Sequence, residues 1–325
     1  MSVRARSPRL PALALTRWRA SGRSLGDGLL FGLCVAAALL AVLTLVEVAY
    51  QVITGSQDAL SKFGLGFIWH STWSPPFSQY GAGVFVYGTL ISSAMAMLLA
   101  MPIGVSIGIF LALLAPAKLR AVIGPLVELL AAVPSVIIGL WGLIVLAPFV
   151  QKIEPGLNSA LGFIPLFGAP QTTGASVFTG GLVLTIMIVP IIASLSRDLF
   201  LTVPGELQDG AAALGATRWE VIRGVVLPTT ASGVIAASVL GLGRALGEAI
   251  AVTQVIGNAN EIHANLFAPG DTLASRLANL FPGTDPLFHS ALFYLALVLL
   301  VIGLITNLFA QWLGRRFDVG GQVLR

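Results

Sequence analysis

Apolar residues run through this chain in six blocks, approximately Leu29 to Val52, Tyr87 to Leu114, Ala121 to Val150, Val177 to Leu195, Ala231 to Ile256 and Leu287 to Leu313. About 20 helical residues, rising 1.5 Å each, cross ~30 Å of hydrocarbon, so every block is long enough to span a bilayer. Lipid offers no partner to an open strand edge, so the spans are predicted to be helices and the fold all-α transmembrane. The third block carries Pro125, Pro134 and Pro148 and is predicted to be bent or broken. The first block is longer than the apolar core of a signal peptide and shows no cleavage site before Tyr50, so it is read as a retained helix.

Composition agrees with the pattern: of 325 residues, 56% are hydrophobic and only 10% charged, against about 25% charged in an average soluble domain. The single cysteine, Cys34, has no partner in the chain, which leaves no disulfide or thiolate metal centre. A net charge of +4 raises the question of nucleic acid, but the basic residues lie between the apolar blocks, where they read as topology. With the N-terminus inside, the inner segments hold Arg4, Arg6, Arg9, Arg17, Arg19, Arg23, Lys118, Arg120, Arg197, Arg218, Arg223, Arg315, Arg316 and Arg325. The outer segments hold only Lys62, Lys152 and Arg276. Both termini are therefore expected in the cytoplasm. The expected layout is a basic cytoplasmic tail over residues 1–28, a membrane domain over 29–313 and a short tail over 314–325. Trp69, Trp73, Phe77 and Tyr80, in the first outer loop, read as interfacial anchors or as a docking surface for an external partner.

The largest inner loop, residues 196–228, reads as two short helices. Pro204 suits a first helical turn, and Glu206 and Asp209 sit at the end where the helix dipole favours acids. Gly215 suits the left-handed residue that closes the helix. Thr217 to Glu220 fits a capping box, and the second helix is expected to stop at Pro228.

Ionisable residues inside apolar blocks cost at least about 2.5–3.5 kcal/mol on insertion scales and call for a reason. Glu47 can reach the interface, and Glu128 has Lys118 or Arg120 as possible partners. Arg244 and Glu248 lie near the middle of the fifth block, spaced i, i+4 on one helical face. They read either as a self-satisfying ion pair or as part of a polar path, with Gly241, Gly243 and Gly247 allowing a close helix approach. A guanidinium offers an oxyanion a fixed donor fork. Thr89, Ser92 and Ser93, with Ser135 after Pro134, could line the same path, or bond back to the carbonyl four residues earlier. His70, His263 and His289 are isolated, with no metal-ligand spacing. The only lysines follow Ser, Ala and Gln, so no phosphate-binding P-loop is present and any ATP chemistry belongs to a partner.

Several of these stretches resemble a known family. Asp209-Gly210-Ala211, Gly215, Val225, Leu227 and Pro228 keep the spacing of the EAA loop of bacterial ABC importer permeases, with Asp for Glu, Gly for Ala and Val for Ile. Tyr87 to Leu90 with Pro102 to Gly104, Val133 to Gly142, Met187 to Pro190, Leu214 to Glu220 and Gly241 to Glu248 are similar to the PstC-type permeases of phosphate importers. The resemblance implies a type I ABC importer permease of the bacterial inner membrane. It would form a heterodimer with a second permease and dock two ATPase subunits on its EAA-like loop. An external phosphate-binding protein would deliver substrate. This chain would hold no cofactor, ATP and Mg residing on the ATPase. Arg244 and Glu248 would be the transport-critical pair. The alternatives are a permease for molybdate or sulfate, an ATP-independent anion transporter, and a membrane anchor without a path.

Overall fold

The computed structural model describes residues 25–279 and 285–316, and within them six helices are long and apolar enough to cross a membrane. The arginine-rich segment before residue 25 and the end of the chain after 316 lie outside the described residues. The chain divides into two units, one ending at Gln51 and one beginning at Val52. The described part of the first unit belongs to α1 (Leu25–Gly55), where the Glu47 carboxylate accepts a hydrogen bond from Gln51 at 2.8 Å.

The second unit opens with α2 (Gln57–Phe63), α3 (Gly83–Ile109), which runs on through a π turn to Leu114, and α4 (Ala117–Ala131). Next come α5 (Ser135–Trp141), a second π turn, and α6 (Ala147–Leu161). α7 (Val177–Leu201) leads to the short helices α8 (Gly205–Ala213) and α9 (Arg218–Val221). A third π turn joins α9 to α10 (Leu227–Gly247), and α11 (Ile250–Val255), α12 (Leu273–Asn279) and α13 (Pro286–Arg316) complete the unit.

α7 is the most buried of the six long helices and packs most extensively on α3, with α10 against both. Small residues allow the approach. Cβ atoms added at Gly104 and Gly108 of α3 would meet the Ile192 side chain at 2.8 Å and the Arg197 backbone at 3.0 Å. Without a hydrophobic force between helices in lipid, such close packing is what holds them together. Arg120 of α4 donates to the Ala112 carbonyl at 2.8 Å, satisfying an acceptor freed at the end of α3.

Beyond the α3 N-terminus, Phe67, Trp73, Tyr80, Phe85, Phe288 and Tyr294 form an aromatic core, with Phe67 and Tyr294 stacked at 4.2 Å. Of the aromatics expected as interfacial anchors, Trp73 and Tyr80 are therefore core residues, while Trp69 and Phe77 are exposed. Apolar area alone does not say which aromatics find a partner; the folding back of residues 64–82 onto α13 does.

Of the expectations for the spans, one holds and two change. The expected third span is indeed broken, after Ala131, so that Glu128 belongs to a separate helix. The expected fifth span does not run unbroken to Ile256 but ends at Gly247. Finally, the helix that begins at Arg218 does not stop at Pro228: it widens into a π turn over Ile222–Val226 and continues as α10. The register change sets Pro228 where its missing N–H is tolerated. The Thr229 and Thr230 hydroxyls take the Val225 and Val226 carbonyls at 2.6 and 2.8 Å.

Candidate functional site

The break in the fifth span organises the middle of the molecule. Glu248 has extended backbone, φ −74° and ψ 116°, and its Oε1 accepts the Ala251 N–H at 3.3 Å, so the carboxylate caps α11. Arg244 sits in the last turn of α10, where the helix dipole favours a cation. The two residues thus do not share a continuous helical face, and among the described residues no ion pair within 4 Å includes either of them. Arg244 is exposed and Glu248 half-buried. Cβ atoms at Gly243 and Gly247 would meet nothing within 4 Å, so that face of α10 is open; Gly241 is the glycine that packs, against Ile188 and Ile192. Those isoleucines lie near the middle of α7. Arg244, about 4.5 Å further along its helix at 1.5 Å per residue, is therefore close to mid-span.

A second break lies at a similar depth. Val133 and Pro134 separate α4 from α5, because the proline ring disfavours helix at the preceding residue and removes a donor. α5 then packs on α11: a Cβ at Gly139 would lie 2.7 Å from the Ala251 Cα, and one at Gly142 would lie 2.8 Å from Val183 and 3.0 Å from Val255. Ser135 is seven residues before Gly142, about 10 Å back along the helix, which brings the α5 N-terminus towards the middle of α7. At one end of this crossing Glu128 meets Arg197 at 3.0 Å, rather than the expected Lys118 or Arg120. At the other, a Cβ at Gly174, just before α7, would run into the Ala147 carbonyl. The membrane crossing is therefore shared between α4 and α5 with its π turn, and much of α6, with Lys152, projects past the start of α7.

The hydroxyls of α3 are already engaged. Thr89 donates to the Phe85 carbonyl at 2.7 Å and accepts the Leu273 N–H at 2.9 Å, and Ser92 donates to the Gly88 carbonyl at 2.7 Å; both are buried. The Ser93 hydroxyl is buried without a hydrogen-bond partner beside an apolar cavity of about 570 Å³ between α3, α10 and α13.

At the other functional region, α8 starts after Pro204, and Gly215 turns the chain at φ +90°. The capping box forms as its residues require: Glu220 N–H to the Thr217 hydroxyl at 3.4 Å, and Thr217 N–H to the Glu220 carboxylate at 2.7 Å. Glu206, Asp209 and Gly210 on α8 are exposed, with Ala211 half-buried. Leu227 and Pro228 begin α10. The elbow also presents Leu214, 92% exposed, and Trp219, 61% exposed.

The sequence gives little sign of a buried cluster between α11 and α13. The Asp271 carboxylate meets Arg276 at 2.8 Å, accepts the Thr272 N–H at 2.8 Å, and is fully buried. Burial pushes the Asp271 carboxyl above the ordinary range even beside the guanidinium. Arg276 also bonds Asn260 and lies 4.7 Å from the centre of the Phe85 ring. Residues 257–272 cap α7 as well, through Phe178 N–H to the Leu266 carbonyl at 2.8 Å and Val177 N–H to the Ala268 carbonyl at 3.2 Å.

Residues 104–319 match the model of the binding-protein-dependent transport system inner membrane component family. The chain is 46% identical over 271 residues to the phosphate transport system permease protein PstC of Pasteurella multocida, covering 82% of this chain and 84% of that one. It is 43% identical over 316 residues to the protein of the same name from Mesorhizobium japonicum, covering 95% and 96%. Among solved structures it resembles a chain of a bacterial alginate ABC transporter in complex with alginate-bound periplasmic protein, with a TM-score of 0.59 at 18% identity over 90% of this chain and 96% of that one. It also resembles a chain of the inward-facing MetNI methionine ABC transporter, with a TM-score of 0.53 at 18% identity over 75% and 99%. At such identities the structural likeness concerns the fold.

Proposed function

This chain belongs to the family of binding-protein-dependent transport system inner membrane components, and on that premise we propose that it is a permease subunit of an ATP-driven importer of inorganic phosphate. The observation that carries the reading is Arg244: a cation close to mid-span, with no ion-pair partner among the described residues, on an open helix face. A charge at that depth is costly unless something offsets it, and a passing oxyanion fits its planar donor fork. The specific anion comes from the relatives, whose names are those of phosphate permeases.

In this reading the elbow end faces the cytoplasm and α8 docks on an ATPase subunit, where Leu214 and Trp219 supply apolar anchors. A second permease covers the open Gly243–Gly247 face and closes the path around Arg244. ATP and Mg stay on the ATPase, and an external binding protein delivers phosphate at the opposite end. Closing of the ATPase dimer draws the elbows together and opens the path outward; hydrolysis releases them and opens it inward. Ser135 at the start of α5 and Glu248 are assigned to this route, whereas Ser93 faces the apolar cavity between α3, α10 and α13, and Thr89 and Ser92, already hydrogen-bonded, support the wall.

The test is labelled phosphate uptake into vesicles holding the assembled complex, with ATP inside and binding protein outside, for wild type and Arg244→Ala. ATP-dependent uptake lost in an Arg244→Ala complex that still assembles supports the reading. Unchanged uptake makes Arg244 structural, and wild-type uptake of molybdate or sulfate in place of phosphate changes the substrate.

A further inference from the structure

The break at Val133–Pro134 divides the third crossing between different neighbours. α4 lies against α7 and the end of α3, whereas α5 lies chiefly against α11. α4 is tied at both ends: Arg120 to the Ala112 carbonyl at 2.8 Å, and Glu128 to Arg197 at 3.0 Å. Arg197 also meets Asp198 at 3.0 Å and reaches towards Gly124, one turn before Glu128, where an added Cβ would lie 3.1 Å from its Nη1. From Arg197 one further turn completes α7, and three residues separate it from α8. Any displacement of α8 thus reaches the Arg197–Glu128 contact through a short and mostly helical path. At Val133 and Pro134 the helical hydrogen-bond ladder of α4 is interrupted before that of α5 begins, because Pro134 is extended at ψ 134° and lacks the donor.

Resting on the proposed transport function, we propose that Glu128 and Arg197 are positioning residues that make α4 and the elbow end of α7 one moving body. The joint at Val133–Pro134 is where that body turns against α5, α6 and α11. The pair is partly solvated, with side-chain exposures of 54% for Glu128 and 21% for Arg197. Such partly solvated pairs add little to stability. Packing of α4 on α7 supplies the stability, and the pair sets the angle at which α4 is held. Its loss should therefore show in coupling rather than in assembly. The arrangement places a hinge close to the depth of Arg244, so that turning it changes which end of the path is open without moving the α5–α11 contact.

The experiment uses the complete complex in proteoliposomes and reads anion imported per ATP hydrolysed for Glu128→Arg, Arg197→Glu, the two combined, and the isosteric Glu128→Gln. Each single reversal is expected to lower the ratio at least severalfold while ATP is still hydrolysed, and the combination to regain most of it. Equal ratios in the single variants and wild type, or a combination no better than the worse single variant, would overturn the proposal. If the reversals do not assemble, Glu128→Gln decides, with an unchanged ratio against the hinge. A second readout does not depend on which anion is carried: maleimide labelling of exposed Val136→Cys in a Cys34→Ser chain. Vanadate trapping of the ATPase should change the labelling rate, and adding Glu128→Gln should remove that change. An equal response in both chains would refute the hinge, whereas a wild-type complex that imports no phosphate but shows the labelling change would refute only the substrate.

Discussion

The Glu248 carboxylate accepts the backbone N–H of Ala251 at 3.3 Å across the gap between α10 and α11. A residue with the sequence spacing of an ion-pair partner for Arg244 is instead a helix cap, and among the described residues the guanidinium has no ion-pair partner. Glu248→Gln keeps an acceptor oxygen and is expected to leave melting of the detergent-solubilised complex unchanged. Glu248→Ala removes the cap and should cost about 0.5–2 kcal/mol of local stability. Hydrogen exchange over α11 distinguishes the two: faster exchange in Glu248→Ala alone is the expected result, and faster exchange in both would assign the cap to the negative charge.

Gly210 faces open space on α8, with nothing within 4 Å of an added Cβ. Gly210→Ala is expected to stabilise that helix by about 0.5–1 kcal/mol and to tighten binding of the ATPase subunit. Gly215, at φ +90°, carries the opposite expectation: Gly215→Ala strains the turn and should weaken the same binding. Titration of solubilised permease with ATPase subunit checks both signs, and equal affinities would show that α8 does not bear on docking.

The segment that returns after α11 lies directly on α3. An added Cβ at Gly88 would collide with the Asp271 carbonyl, and the Thr89 hydroxyl holds Leu273 N–H. Gly88→Ala should therefore displace residues 257–279 and lower the melting temperature. Thr89→Val, which removes one buried acceptor, should cost about 1–3 kcal/mol. Thr89→Ser retains the hydroxyl and is expected to melt close to wild type; if it melts with Thr89→Val, the hydroxyl is not the relevant group.

Burial raises the Asp271 carboxyl above its unfolded value, so between the two values the native state binds more protons than the unfolded one. Stability of residues 257–279 should then fall as pH rises from the ordinary carboxylate range through the native value of Asp271. Hydrogen exchange of this segment against pH is the measurement. Asp271→Asn should abolish the slope, and a slope that survives belongs to another group.

Six spans, the elbow with its glycine turn and capping box, and the suspect third span are all legible in the sequence. Each rests on local rules: apolar length against bilayer thickness, a left-handed residue at Gly215, side-chain reach from Thr217 to Glu220. Local rules also singled out Arg244, because a charge in an apolar block is conspicuous whatever surrounds it. They could not say that α10 ends at Gly247, since no residue there forbids helix as Pro134 does; the end follows from α11 seating against Gly139 and from Glu248 turning to cap it. Nor could they choose Arg197 over Lys118 for Glu128, or join Asp271 to Phe85 through Arg276, because those partners meet only when distant helices pack. The sequence by itself determined the crossings, the elbow and the presence of a cation inside an apolar block. The tertiary structure alone decided where the fifth crossing breaks and which charges remain unpaired, because both depend on close contacts between segments far apart in the chain.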